Sequence, residues 1–125
     1  MIQIYLCEDQ EKQLFYFKRI IEKYIIDTYK EAEVVSARKD PQHILSDVKK
    51  YGKSPALFFI DIQLDGYSMD GFQLSRELKR NLKDSYIVFL TSREELAYKA
   101  FLVNIFLSKK IHVALPSHFL EYILT

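Results

Sequence analysis

Short apolar runs alternate with amphipathic stretches along most of the chain. Ile2, Ile4, Tyr5, Leu6 and Cys7 form the first run, stopped by Glu8-Asp9, and its brevity and continuity predict a buried strand. From Gln10 to Lys30, Leu14, Phe17, Ile20, Ile21, Tyr24 and Ile25 recur at helical spacing with Glu and Lys opposite them, predicting a long amphipathic helix. Val34-Val35 within EAEVVSA predicts a second strand. Asp40-Pro41 then offers a helix cap followed by proline at the first helical position, with Ile44, Leu45 and Val48 as the buried stripe. Gly52 is the stop for that helix, and Pro55 blocks its continuation.

The run Ala56-Leu57-Phe58-Phe59-Ile60 is apolar at successive positions, so both faces of a third strand are covered. After a loop carrying Asp65, Gly66 and Asp70, the segment GFQLSRELKR spaces Phe72, Leu74 and Leu78 as a third helix, and Tyr86–Leu90 repeats the buried-strand signal. Arg93–Phe101 reads as a further helix, with Thr91 or Ser92 able to cap it and Glu94 and Glu95 in its first turn. Beyond Phe101 two strand readings compete, one around Ile105–Leu107 and one at Ile111–Leu115, before Pro116 opens a last helix containing Phe119, Tyr122 and Ile123. Strands that alternate with helices and bury both faces predict an α/β fold of the flavodoxin-like kind. That fold is a three-layer sandwich around a five-stranded parallel sheet of order 2-1-3-4-5.

Composition narrows the function classes. At 125 residues and 49% hydrophobic, the chain is expected to form one domain, residues 1–125, with no effector domain beside it. Lys+Arg 18 against Asp+Glu 17 leaves a formal charge of +1, so no field over the whole chain draws it to nucleic acid. The N-terminal residues lack a basic leader and meet acids directly after Cys7, which excludes a signal peptide or a membrane span there. Cys7, the single cysteine, is assigned to packing, and its lack of an internal partner agrees with a cytoplasmic location.

The chemistry concentrates in acids at strand ends. Asp61 interrupts FFIDIQL, where an unpaired charge costs several kcal/mol. In a 2-1-3-4-5 sheet the carboxyl ends of strands one, three and four are neighbours at the ligand-binding edge, which brings Glu8, Asp9, Asp61 and Thr91 together. Three close carboxylates repel one another unless they are protonated or share a cation. Oxygen ligands without His or Cys favour Mg²⁺, and an Asp beside such an ion can serve as a nucleophile towards phosphorus. Individually, Glu8 and Asp9 also fit solvated loop or cap residues, and Thr91 also fits a helix cap. Asp65 and Asp70 are assigned to the turn and the cap of the third helix.

LCED at the end of strand one, FFIDIQL at strand three and VFLTS at strand four resemble the receiver domain of two-component response regulators. Their wording is most similar to the branch whose full-length members carry a LytTR-type DNA-binding domain and answer peptide pheromones. The resemblance spans residues 1–101 and fades over 102–125. It implies that Asp61 accepts a phosphoryl group from a partner histidine kinase. It further implies that Glu8, Asp9, Asp61 and the backbone carbonyl of Gln63 hold Mg²⁺, and that Thr91 contacts the phosphoryl group. It also implies a homodimer through the fourth and fifth elements, and contact with DNA only through an effector domain. Asp65 stands where many receivers have proline, and the loop that follows is slightly longer, a feature shared with the pheromone-responsive branch.

One feature of the family has two placements here. Receivers carry a lysine at the end of strand five; an ungapped count from Thr91 lands on Val113, whereas a gapped alignment reads FLSK at 106–109 and makes Lys109 the site lysine. Lys109 and Lys110 equally fit solvated charges at a strand end. Two further function classes therefore stay open: a degenerate receiver acting as a phosphorylation-independent interaction module, and, last in rank, a Mg²⁺-dependent phosphohydrolase. The latter wants a second Asp two residues beyond the first, where this chain has Gln63.

Overall fold

A computed structural model describes residues 1–28, 31–90 and 111–114. In chain order the elements are β1 (Ile2–Cys7), α1 (Glu11–Thr28), β2 (Ala32–Arg38), α2 (Pro41–Tyr51), β3 (Ala56–Asp61), α3 (Gly71–Asn81), β4 (Tyr86–Leu90) and β5 (Ile111–Ala114). The strands form one parallel sheet of order β2-β1-β3-β4-β5, as the flavodoxin-like expectation requires. Of the two readings after Phe101, the later one supplies the strand that pairs with β4; the Ile105–Leu107 reading, the Arg93–Phe101 helix and the helix after Pro116 lie outside the described residues.

Both faces of the sheet are covered because its central strands are apolar at consecutive positions. In β3, Phe58 and Ile60 face the core shared with α2 and α3, while Phe59 and Leu57 face the core shared with α1. Phe17 and Ile21 of α1 close the second core against Ile4, Leu6, Val88 and Leu90. The first core is larger, combining Ile44, Leu45 and Val48 of α2 with Leu74 and Leu78 of α3 over Tyr5, Phe58, Ile87 and Phe89. Tyr5 stacks on Phe58 with ring centroids 4.8 Å apart, tying β1 to β3 where the two strands pair.

The helix ends follow local chemistry. Asp40 caps α2 by accepting the Gln42 N–H at 2.9 Å, with Pro41 opening the helix, and the Gly52 N–H closes it on the Val48 carbonyl at 2.8 Å. Gly52 is extended rather than left-handed; glycine is needed because a Cβ there would overlap the Val48 carbonyl oxygen. At α3, Asp70 and Gln73 form a reciprocal capping box, each side chain accepting the other's backbone N–H at 2.9 Å.

Phe58 is fully buried between the helices and the Tyr5 ring, so its truncation removes both transfer energy and packing. Phe58→Ala is expected to cost about 3–5 kcal/mol of stability, measured from the shift of the urea unfolding midpoint at constant m-value.

Candidate functional site

β1 and β3 are adjacent and parallel, with Cys7 opposite Ile60, so the residues that follow Cys7 and Ile60 emerge side by side at one edge of the sheet. Glu8, Asp9 and Asp61 each place a carboxylate oxygen within 4.8 Å of the others. The cluster takes in neither Asp65 nor Asp70. Glu8 is buried at 2% exposure, and Asp9 and Asp61 are half-buried.

Backbone donors hold the three carboxylates in place. The Gln63 N–H donates to Asp61 Oδ1 at 3.1 Å, the Gln10 N–H to Glu8 Oε1 at 3.3 Å, and the Asp65 N–H to Asp9 Oδ2 at 3.1 Å. The last of these crosses from the β3–α3 loop to the end of β1. Gly66, with φ +85°, lets the loop turn at that point, and the Tyr67 N–H closes the turn on the Leu64 carbonyl at 3.3 Å. Asp65 is thus a turn residue whose backbone, rather than its carboxylate, reaches the site.

Gly71, the first residue of α3, sits directly against the end of β3. Its N–H donates to the Ile62 carbonyl at 3.0 Å, and a Cβ there would overlap the Asp61 carbonyl oxygen and come within 2.8 Å of Ile62 Cα. Only a residue without a side chain lets α3 start this close to Asp61. Periodicity marks Gly71 as a helix start but carries no sign of this contact, which exists only once α3 folds back over β3.

Crowding of like charges sets the protonation of the cluster. Burial, followed by hydrogen bonding to and repulsion from Glu8, pushes the Asp61 carboxyl up to about 9. Burial also raises Glu8, although its hydrogen bonds with Asp61 and with the Gln10 N–H pull the other way. Burial and the proximity of Glu8 thus favour the neutral form of the Asp61 carboxyl when no counter-charge is present. Burial raises the neighbouring Cys7 thiol as well, with the nearby acids adding to the effect, so Cys7 is an unreactive packing residue. Glu8, Asp9 and Asp61 would hold a divalent cation through their oxygens, and such an ion would supply the counter-charge these carboxylates lack.

Thr91 and Lys109 lie outside the described residues. Thr91 follows Leu90, the last residue of β4, which pairs with Asp61. In β5 the residue level with Leu90, and therefore with Asp61, is Ala114, preceded by Val113 opposite Phe89. None of the four residues of β5 is a lysine.

A parallel sheet of this order, with an acidic trio at its carboxyl edge, defines the class. The sequence profile of the response regulator receiver domain matches residues 4–114, and the chain belongs to that family, whose members are phospho-acceptors of two-component signalling with an acidic Mg²⁺ pocket. Among curated proteins it is similar to accessory gene regulator protein A of Staphylococcus epidermidis, with 32% identity over 104 residues, 83% of this chain and 43% of that protein. The Staphylococcus aureus protein of the same name is 31% identical over the same shares. The chain thus spans less than half the length of the curated relatives it matches. Among solved structures, a receiver domain protein from Clostridium thermocellum superposes with a TM-score of 0.77 at 17% identity, covering 99% of this chain and 90% of that one. The receiver domain of NtrX from Brucella abortus gives 0.66 at 20% identity, covering 97% and 92%. At these identities the two structures bear on the fold alone.

Two outcomes test the site. A carboxyl whose folded pKa lies above its unfolded value favours the fold at low pH, and that contribution falls away as pH climbs from the ordinary value of 3.8 towards about 9. Asp61→Asn stays neutral throughout. After discounting for solvent screening, it is expected to stabilise the metal-free chain by about 1–2 kcal/mol at neutral pH, with the gain shrinking as pH falls to 5, read from urea midpoints. Gly71→Ala is expected to cost about 1–3 kcal/mol and to shift the amide resonances of Asp61 to Gln63, because backbone rather than a flexible side chain must yield.

Proposed function

We propose that Asp61 is the phosphoryl acceptor of this receiver domain. The observation that carries the reading is the convergence of Glu8, Asp9 and Asp61 within 4.8 Å at the carboxyl edge of the sheet, with Asp61 oriented by the Gln63 N–H. In the proposed reaction an Asp61 carboxylate oxygen bonds to phosphorus while the bond from phosphorus to the donor histidine nitrogen of a partner kinase breaks. Asp61 must be deprotonated to attack, and a cation held by Glu8 and Asp9 would favour that form by supplying positive charge beside it.

Mg²⁺, when bound, screens the phosphoryl oxygens from the three carboxylates. Glu8 and Asp9 are its proposed side-chain ligands together with Asp61, and the Gln63 backbone, already beside Asp61, supplies the remaining protein oxygen. Thr91, next after β4, is proposed to contact the phosphoryl group. A phosphoryl group there adds charge and acceptor oxygens at a fixed position and biases the packing of the fourth and fifth elements, the proposed homodimer face.

In the full-length protein this domain is proposed to govern transcription through a LytTR-type DNA-binding domain, in a cytoplasmic regulator answering a peptide signal. The likeness to the two staphylococcal regulators supports that setting. None of the helices among the described residues is long and apolar enough to cross a membrane.

A second reading, an interaction module that no longer depends on phosphorylation, is favoured by one observation. The residue of β5 level with Asp61 is Ala114, so the strand itself supplies no ammonium to pair with a phosphorylated acceptor. Incubation with a small-molecule phosphodonor and Mg²⁺ separates the two. The receiver reading expects one phosphoryl adduct by intact mass, absent without Mg²⁺ and absent in Asp61→Asn. A wild-type chain that binds Mg²⁺ by titration yet forms no adduct rules out the acceptor role and leaves the module.

A further inference from the structure

β2 is an edge strand, and its pairing with β1 is irregular. Ile4 lies opposite Val34 but Tyr5 lies opposite Ser36, so Val35 is an extra residue in the ladder. A bulge of this kind re-aims the side chains that follow it. Val34 and Ala37 pack in the core shared with α1, whereas Val35 packs in the core on the α2 side. Beyond the bulge, Ser36 and Arg38 both reach Asp47 in the middle of α2. Ser36 Oγ donates to Asp47 Oδ2 at 2.5 Å, and Arg38 grips the same carboxylate with Nε to Oδ2 at 3.0 Å and Nη2 to Oδ1 at 3.4 Å. Asp47 is 9% exposed. Burial alone would raise its carboxyl, but the hydrogen bonds from Arg38 and Ser36 hold it below the usual range.

The other end of this network meets the acidic pocket. Arg38 is the last residue of β2, opposite Cys7, and its carbonyl accepts the Glu8 N–H at 3.2 Å. The end of an edge strand has a partner on one side only and frays readily. Here a two-pronged guanidinium contact to a buried carboxylate, a geometry more restrictive than a single ion pair, ties that end to α2.

We propose that the Ser36–Arg38–Asp47 clamp is a positioning device for Glu8: by anchoring the end of β2 to α2, it holds the carbonyl that fixes the Glu8 backbone and so the buried carboxylate of the cation pocket. Arg38, Ser36 and Asp47 touch neither cation nor phosphoryl group, and the inference rests on the reading of Glu8 as a Mg²⁺ ligand. Charge and position make opposite demands at Arg38. Removing a positive charge would by itself leave Mg²⁺ binding unchanged or tighter, whereas loss of positioning weakens it.

The test is Mg²⁺ titration by calorimetry of the wild-type chain, Arg38→Met, Arg38→Lys and Ser36→Ala, with amide hydrogen exchange at Glu8 followed in the metal-free proteins. Arg38→Met keeps the apolar stem of a half-exposed side chain, and Ser36→Ala serves should it fail to fold. Direct partners of metal ligands typically contribute about 10–100-fold in affinity; acting one backbone bond further away, the clamp is expected to contribute about 3–10-fold, with Glu8 exchanging faster than Leu6 relative to wild type. Arg38→Lys, which keeps the charge but loses the fork, is expected to weaken binding in the same direction. Unchanged or tighter Mg²⁺ binding in Arg38→Met, with Glu8 exchange unaltered, overturns the clamp alone. A wild-type chain that binds no Mg²⁺ overturns the reading of the pocket, and the clamp's purpose with it.

Discussion

Three carboxyl groups held within 4.8 Å of one another cannot all stay ionised without a counter-charge, and the rest of the site is arranged around that repulsion. Each acid is kept in place by a backbone N–H from the loop or strand end that follows β1 or β3, so the cluster persists although its members repel. The cost appears as the raised Asp61 carboxyl. A fold that selected for stability alone would place a neutral or apolar residue at the end of FFI. That repulsion is what a divalent cation held by the three carboxylates would relieve.

The supports for this cluster come from two helices on the same face of the sheet. From the α3 side, Gly71 lets the helix begin directly on the Asp61 backbone. From the α2 side, a bulge in β2 turns Ser36 and Arg38 onto Asp47 and presents the Arg38 carbonyl to Glu8. The two helices also pack on one another through the larger core, so both supports belong to one layer. A change in how α2 and α3 pack would be felt at both acids together.

Most of the architecture was legible in the chain. β1, β3 and β4 follow short, mostly apolar runs, and α1 and α3 follow helical spacing, because burial on two faces or on one stripe leaves a trace in the pattern. The caps Asp40 and Asp70 were legible too, since capping is decided by residues within one turn. Less clear was the fifth strand, where two apolar runs compete and only pairing with β4 selects Ile111–Ala114. The bulge at Val35 left no mark in the pattern, because Val34-Val35 reads equally well as an ordinary strand.

The sequence by itself determined the alternating α/β order, the two-sided burial of the sheet and the acids at the ends of β1 and β3, since each of these depends on residue type and local spacing. Only the tertiary structure decided that Ser36, Arg38 and Asp47 come together, that Gly71 must be bare beneath Asp61, and that Ala114 stands level with Asp61 in the sheet. The physical reason is distance along the chain. Those contacts join residues brought together by strand register and helix packing, and register between strands is set by the whole sheet rather than by any one segment of it.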